Sequence, residues 1–275
     1  MSFFENVLYG FVSGLAEFLP VSSRAHQILI RYLLGVATRD PVQDLLVHIG
    51  LLFSIFFGCR DLIFRLRRQQ KLNLSRKRKH AIVDGKSVYD LRLMKTATAP
   101  LLVGLLLLFS TVHLENNLLF VLAFGVLNAF ILLLAEHSSR GNKDSRTMSG
   151  LDGIIIGVLG SLSVFPGISR TGIVSSYATL RGADSQNAAN WAILLGVPAL
   201  IILSCFDLFS AFSFAFSIIS FSSIIGYIIS GVAAFCGGSI AISLFQIILS
   251  RSGFNSFAYY SLGTALFSFV LYLIT

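Results

Sequence analysis

Two short proline-containing segments hold side chains that could bind a phosphate or diphosphate group and take part in its chemistry. They are Pro20-Val-Ser-Ser-Arg24 and Pro166-Gly-Ile-Ser-Arg170, and each interrupts an apolar stretch. The guanidinium group of arginine binds phosphate oxygens in a bidentate fashion. Glu17 and His26, close to the first segment, add a carboxylate and an imidazole. Together these residue types indicate phosphoryl chemistry on an amphiphile.

Each of these side chains has a catalytic and a structural interpretation. Glu17 could hold a divalent cation or relay a proton, and His26 could act as a general acid or base. Ser23 could attack phosphorus as a nucleophile, but serines also satisfy freed backbone groups where a membrane helix is broken. Glu17 and Arg24 could likewise form a purely structural buried pair. The other hydroxyls at the two breaks are those of Ser22, Ser169 and Thr171.

The elements that must position these residues are membrane helices. Of the 275 residues, 55% are hydrophobic and 12% are charged, about half the charge of a soluble domain. This composition excludes a cytosolic globular enzyme, a disordered chain and a disulfide scaffold. Apolar windows predict an all-α integral membrane protein with six crossings, since a crossing needs about 20 residues. The windows are 45–59, which is short and would be extended by its flanks, 96–114, 116–135, 185–206, one near 217–236, and 252–275.

In the long apolar window that starts at Leu208, Gly237 and Gly238 are expected to end the crossing. A short interfacial helix would then follow and finish at Arg251. Glycine is a poor helix former, which is the basis of this expectation.

Two further apolar stretches are too short to cross the membrane alone. Each is followed by a proline break and a second short stretch, which predicts two re-entrant pairs of half-helices whose N-termini favour anions. The pairs are 3–19 with 26–36, and 153–165 with 171–180. A pair followed by three spans in each half predicts an inverted repeat of residues 1–135 and 150–275. Interrupted segments at matching positions then mark the binding site.

Basic residues set the expected orientation. Twelve of the 21 lysines and arginines lie between Arg60 and Lys95, which predicts a cytoplasmic loop touching anionic lipid rather than a nucleic-acid surface. The outer connections, near 37–42, 115–117 and 207–216, carry few positive charges, with Arg39 as the exception.

A few polar residues of the apolar windows have structural interpretations. Asp44 and Asp207 are expected to be solvated near the outer ends of spans, and His48 to form a hydrogen bond between helices. The pairs Gly10/Gly14 and Gly153/Gly157 fit close packing of the two repeats as well as a homodimer.

The residues around both breaks resemble two signatures of the undecaprenyl-diphosphate phosphatase family, which is linked to bacitracin resistance. Gly14-Leu-Ala-Glu-Phe-Leu-Pro-Val-Ser-Ser-Arg-Ala-His26 is similar to the first signature, and Pro166-Gly-Ile-Ser-Arg-Thr-Gly172 to the second. Val47-His-Ile-Gly50 and Leu194-Leu-Gly-Val-Pro198 resemble the spans that follow. The resemblance covers nearly the whole chain.

This resemblance implies an inner-membrane enzyme that uses a divalent cation, Mg²⁺ or Ca²⁺. It would convert undecaprenyl or another polyprenyl diphosphate to the monophosphate, which recycles the lipid carrier of envelope synthesis, at a site open to the outer side. The resemblance implies Glu17 as the motif carboxylate and metal ligand, Ser23 and His26 as catalytic groups, and Arg170 as the diphosphate anchor. Substrate contacts would come from Ser22, Arg24, Ser169, Thr171 and Gly172.

The chain departs from the family pattern close to the first break. Ser13 replaces a second acidic or amide residue, and Arg24 stands where a small or hydroxyl residue is usual. We therefore expect a divergent member in which Arg24 supplies fixed positive charge in place of part of the metal's role. The alternatives are a non-catalytic transporter of polyprenyl phosphate on the same fold and a phosphatase for a different lipid phosphate.

Overall fold

Helices make up nearly all of the chain in the computed structural model, which describes residues 1–36, 38–74, 85–107, 117–138, 141–214 and 221–274. Within these ranges the backbone forms no β-strand, apart from an isolated bridge between Lys143 and Ala183. The described helices are α1 Phe3–Phe18, α2 Ser23–Leu33, α3 Pro41–Gly58, α4 Arg60–Leu74, α5 Gly85–Leu106, α6 Leu118–Glu136, α7 Gly150–Ser161, α8 Arg170–Leu180, α9 Ser185–Leu194, α10 Gly196–Phe214, α11 Phe221–Ser252 and α12 Asn255–Ile274.

In the described parts of the chain, five segments are long and apolar enough to cross a membrane, which indicates a multi-pass membrane protein. They are Pro41–Gly58, Leu118–Glu136, Ser185–Phe212, Ser223–Ser252 and Asn255–Ile274. The remaining predicted crossing, 96–114, falls partly on α5 and partly outside the described residues. The predicted outer connection at 207–216 is wrong in its first part, because α10 continues as far as Phe214.

The expectation that Gly237 and Gly238 end a crossing is wrong, since α11 runs without a break through both of them. These glycines allow other helices to approach α11 closely. A Cβ atom on Gly237 would lie 2.4 Å from the carbonyl oxygen of Phe11 in α1. A Cβ on Gly238 would lie 2.7 Å from the hydroxyl of Ser54 in α3. At these two positions the close packing of helices outweighs the low helix propensity of glycine.

The first helix of each broken pair packs closely on a helix from the other half of the chain. Helix α1 lies against α11, and α7 lies against α5. Gly10 and Gly14 make the first contact possible, and Gly153 and Gly157 the second, because a Cβ at any of them would meet the partner helix at 2.4 Å or less. The glycine pairs are therefore used within one chain, and their spacing does not require a homodimer.

Replacing Gly10 by alanine is expected to lower the thermal unfolding midpoint of the detergent-solubilised protein. The added Cβ would lie 2.1 Å from the backbone oxygen of Ser230, so α1 and α11 must separate. Overpacking of this kind costs about 1–3 kcal/mol. Gly263→Ala is the matched control, because nothing lies within 4 Å of that Cβ position. Equal midpoints for the two variants would contradict the prediction.

Candidate active site

The two proline-containing breaks are hydrogen-bonded to each other. The hydroxyl of Thr171 donates to the carbonyl oxygen of Leu19 at 2.7 Å. The backbone N–H of Gly167 donates to the hydroxyl of Ser22 at 3.0 Å. Segments that are far apart in the sequence therefore form one structural unit, as the matching motifs predict.

A capping serine begins the second helix of each pair. The Ser22 side chain accepts from the Ala25 N–H at the start of α2, and the Ser169 side chain accepts from the Gly172 N–H at the start of α8. Side-chain caps satisfy N–H groups that have no partner inside the helix. Both helix N-termini, with their partial positive charge, are thus built into the joined breaks.

With their prolines matched, the two motifs place Arg24 opposite Arg170, but the helices that follow begin one residue out of that register. Ser22 lies two residues after Pro20, whereas Ser169 lies three residues after Pro166. The longer connection contains Gly167, whose φ of 119° lies in a region that favours glycine. When the two helix starts are matched, the counterpart of Arg170 is Ser23 rather than Arg24.

A cavity at the joined breaks brings together most of the residues that the motifs indicate. Six of them line it, namely Glu17, Ser22, Ser23, Arg24, Ser169 and Arg170. His26, Thr171 and Gly172 are not among its lining residues. Arg31, Arg39 and His48 line the same cavity and were not indicated by the motifs.

Arg170 is held from two sides at the start of α8. One terminal nitrogen donates to Glu17 Oε1 at 2.8 Å, and the other donates to the carbonyl oxygen of Ala192 at 3.3 Å. Ala192 belongs to the last turn of α9, close to the point where α9 gives way to α10. Pro198 accounts for a break there, because it has no N–H to continue the helix. Arg170 as a whole is 5% exposed, and it lines the cavity.

Substitution of Gly196 by alanine is expected to disturb activity more than stability. The new Cβ would lie 2.9 Å from a terminal nitrogen of Arg170, so the guanidinium must shift. Misplacement of a substrate-positioning group by about 1 Å can cost up to 10²-fold in rate, and we expect roughly a tenfold loss of kcat/KM. Gly263→Ala is again the control. Unchanged kinetics of Gly196→Ala would contradict this position of Arg170.

Ser23 and Arg24 begin α2 at the edge of the cavity. The Ser23 hydroxyl lies 3.4 Å from the backbone oxygen of Ser13, to which it can donate. Arg24 donates to the carbonyl oxygen of Val164 at 2.9 Å, and so links the second break to the first. Ser13 itself is fully buried and lies outside the cavity lining.

His26 faces a different helix. Its Nδ1 is 2.7 Å from the carbonyl oxygen of Ser22, and its Nε2 is 2.8 Å from the hydroxyl of Tyr260 in α12, on which its ring stacks. Both ring nitrogens are therefore occupied. This placement supports a positioning role rather than proton transfer in the cavity.

The expectation that Asp44 and Asp207 are solvated is wrong. They are 2% and 0% exposed, and both carboxylates are bonded to Arg39, which folds in from the connection between α2 and α3. Asp207 also lies 2.6 Å from Nδ1 of His48, which confirms the interhelical hydrogen bond expected for this histidine. The network places Arg39 and His48 on the cavity wall.

Asn128, in α6, connects the two breaks to α12. Its amide nitrogen donates to the carbonyl oxygen of Pro20 at 3.2 Å and to the Ser261 hydroxyl at 3.0 Å. Its oxygen accepts from the Ser169 N–H at 2.9 Å. Sequence reasoning missed this residue, although an amide in the middle of an apolar span was the available signal.

The donor set of the cavity does not fit a resident divalent cation. Glu17 is the acidic member of the described lining, and one of its oxygens is bonded to Arg170. Ca²⁺ takes six to eight oxygen ligands, and Mg²⁺, which keeps several waters, is usually held by one or two carboxylates together with the phosphates of a bound substrate. Within the described parts of the chain, His, Cys, Asp and Glu side chains form no group of three that could hold a metal ion. We therefore derive no step through a metal.

Comparison with known proteins gives likenesses along almost the whole chain. The family model described as bacitracin resistance protein BacA matches residues 6–267. The chain is 30% identical over 265 residues to a protein named undecaprenyl-diphosphatase from Prochlorococcus marinus (strain MIT 9215), with 94% of this chain and 96% of that protein covered. It is 28% identical over 272 residues to a protein of the same name from Alkaliphilus metalliredigens (strain QYMF), with 95% of each covered. These matches include both breaks and the cavity.

Proposed function

This chain belongs to the bacitracin resistance protein BacA family, and on that premise we propose that it is a membrane phosphatase that hydrolyses undecaprenyl diphosphate. The products are undecaprenyl phosphate and inorganic phosphate, so the reaction recycles a lipid carrier for cell-envelope synthesis. The observation that carries this proposal is the cavity at the joined breaks, where Arg170 is fixed beside Glu17. The names of the relatives favour an enzyme over a non-catalytic lipid transporter.

The electrostatics of the cavity support an anionic substrate. Four arginines and one carboxylate, that of Glu17, belong to its described lining, and the carboxylates of Asp44 and Asp207 that hold Arg39 lie outside it. The N-termini of α2 and α8 add partial positive charge at the same place. Charge that develops on phosphate oxygens during the reaction would be stabilised by such fixed donors.

Hydrolysis at this site needs a nucleophile for the terminal phosphorus. Either Ser23 or a water molecule forms the new bond to phosphorus, while the bond from phosphorus to the bridging oxygen breaks. The bridging oxygen leaves with the lipid monophosphate. With Ser23 as nucleophile, water then hydrolyses the phosphoserine.

The nearby side chains divide the remaining tasks. Arg170 and Arg24 neutralise the phosphoryl oxygens, and Glu17 accepts the proton of the nucleophile through an oxygen not used by Arg170. Ser22, Ser169, Thr171 and Gly172 shape the two helix starts, and His26 positions α2 through Tyr260.

The proposal includes six crossings and two re-entrant pairs in an inverted repeat. Two packing relations support it: α1 lies on α11 while α7 lies on α5, and α6 lies on α12. Such an exchange of neighbours is expected when the halves are related by a two-fold axis in the membrane plane. In this arrangement the stretch 60–95, which contains α4 and the start of α5, is cytoplasmic, the protein resides in the inner membrane, and the cavity opens to the outer side.

The test is phosphate release by the purified full-length protein given undecaprenyl or farnesyl diphosphate, with Mg²⁺, with Ca²⁺ and with a chelator. We expect release of one phosphate per lipid, and accumulation of the lipid monophosphate. Protein that binds the lipid but releases no phosphate under any of these conditions would contradict the enzyme proposal. The same protein moving polyprenyl phosphate across a liposome bilayer would establish the transporter instead.

A further inference from the structure

We propose that the cavity binds the diphosphate group through its arginines alone, with Arg31 and Arg39 holding the phosphate oxygens that a divalent cation would otherwise neutralise. This inference takes the identity of the ligand from the proposed function. It adds two binding residues and the expectation that binding needs no metal.

The environment of Arg31 is the strongest evidence that the cavity binds an anion. It is 6% exposed in the last turn of α2, and it lines the cavity. None of the residues that the structure describes forms a hydrogen bond or an ion pair with its side chain. Arginine keeps its charge in proteins, and an unpaired charge inside a membrane protein is expensive. A bound anion would remove that cost.

Asp44 interacts electrostatically with Arg31, but its carboxylate is already engaged by other groups. Asp44 accepts hydrogen bonds from Tyr9 at 2.6 Å and from Arg39 at 2.5 Å. Arg31 also lines a second, polar cavity beside the first, together with Tyr9 and Gln43. Its guanidinium is thus placed where it can meet a ligand that enters the main cavity.

Arg39 is fixed at the wall of the cavity by two buried carboxylates. Asp44 and Asp207 bind its guanidinium, and neither of them is among the lining residues, whereas Arg39 is. Charged groups held in place need no reorganisation when an anion arrives. Arg39 therefore presents a preorganised cation to the ligand.

The charges of the lining residues indicate whether arginines or a metal ion neutralise the diphosphate. Arg24, Arg31, Arg39 and Arg170 lie in the described lining with one carboxylate, that of Glu17, while Asp44 and Asp207 bind Arg39 from behind the wall. A divalent cation would find Glu17 as its one lining carboxylate, and that carboxylate is already bonded to Arg170. The diphosphate needs no such addition, because bidentate arginine contacts neutralise it directly.

The test measures binding and turnover in parallel on the full-length protein in detergent, after removal of metal with a chelator. Isothermal titration with inorganic pyrophosphate reports binding, and phosphate release from farnesyl diphosphate reports turnover. The variants are Arg31→Met and Arg31→Lys, with Arg251→Met as the control, because Arg251 is an exposed residue at the end of α11. Thermal unfolding with and without pyrophosphate is measured for each.

For the unsubstituted protein we expect pyrophosphate affinity in chelator within twofold of that with Mg²⁺. Arg31→Met should lower this affinity at least tenfold, and Arg31→Lys less. The unfolding midpoint of ligand-free Arg31→Met should be equal or higher, because an unpaired charge has gone. If Arg31 had only a structural role, its replacement would lower the unfolding midpoint instead. Arg251→Met should behave as the unsubstituted protein.

Two outcomes would overturn the inference: binding that appears only with added metal, or an Arg31→Met variant that binds pyrophosphate normally. Metal-free binding that depends on Arg31, in a protein that releases no phosphate under any condition, would support the inference and contradict the proposed enzymatic function. The two proposals can therefore fail separately.

Discussion

Replacement of Arg170 by methionine is expected to lower phosphate release from an isoprenoid diphosphate by on the order of 10³-fold. Loss of one preorganised donor to a developing oxyanion typically costs about 10²–10³-fold in kcat. Arg170 supplies a full charge in addition, and its removal also leaves Glu17 without the partner now 2.8 Å away. The measurement is single-turnover phosphate release by variants that retain the elution volume and helical content of the unsubstituted protein.

Two further variants separate charge from geometry at this position. Arg170→Lys keeps the positive charge but cannot reach Glu17 and the Ala192 carbonyl together, so we expect it to stay at least tenfold below the unsubstituted protein. In a double-mutant cycle, Glu17→Gln and Arg170→Met should be strongly non-additive, because the two side chains act as a pair. Additive losses, or more than a tenth of the activity left in Arg170→Met, would contradict the role of this pair.

Replacement of Asn128 by leucine is expected to affect both stability and activity. The side chain is fully buried, and its amide forms hydrogen bonds with Pro20, Ser169 and Ser261. Leucine has nearly the same size but leaves these groups without that partner, at about 1–3 kcal/mol for each buried group. We expect a lower unfolding midpoint together with at least a tenfold loss of phosphate release.

The control for Asn128→Leu is Phe130→Leu, on the exposed side of the same helix at 57% exposure. Asn128→Asp retains an acceptor for the Ser169 N–H but loses the two donated bonds, so it should also be impaired. A stable, fully active Asn128→Leu variant would show that the joined breaks do not depend on this amide.

The sequence alone predicts the features that depend on local composition. Apolar windows indicate the membrane helices, because a span needs a continuous apolar surface. The prolines and serines of the two breaks indicate where helices end and begin, and Ser22 and Ser169 are observed as helix caps. The paired motifs also indicate that the two breaks meet, and hydrogen bonds such as that from Thr171 to Leu19 join them.

Which side chains face the cavity was decided by tertiary structure. His26 turns towards α12, while Ser23, Gln27 and Arg31, four residues apart on one face of α2, point to the cavity. Residues four apart in a sequence are expected to share one face of a helix, but the spacing does not tell which face of the helix lines the cavity. That choice depends on the packing of helices from distant parts of the chain.

Packing between distant parts of the chain also explains why the expectations for two glycines and two aspartates are wrong. Gly237 and Gly238 break helices in isolation, yet here they lie inside α11 because α1 and α3 approach it there. Asp44 and Asp207 are buried because both bind Arg39, which comes from the connection between α2 and α3. Local composition is enough to predict most of the membrane helices and the two breaks. Only long-range packing and charge pairing decided which arginines surround the ligand, because each depends on partners that are not neighbours in the chain.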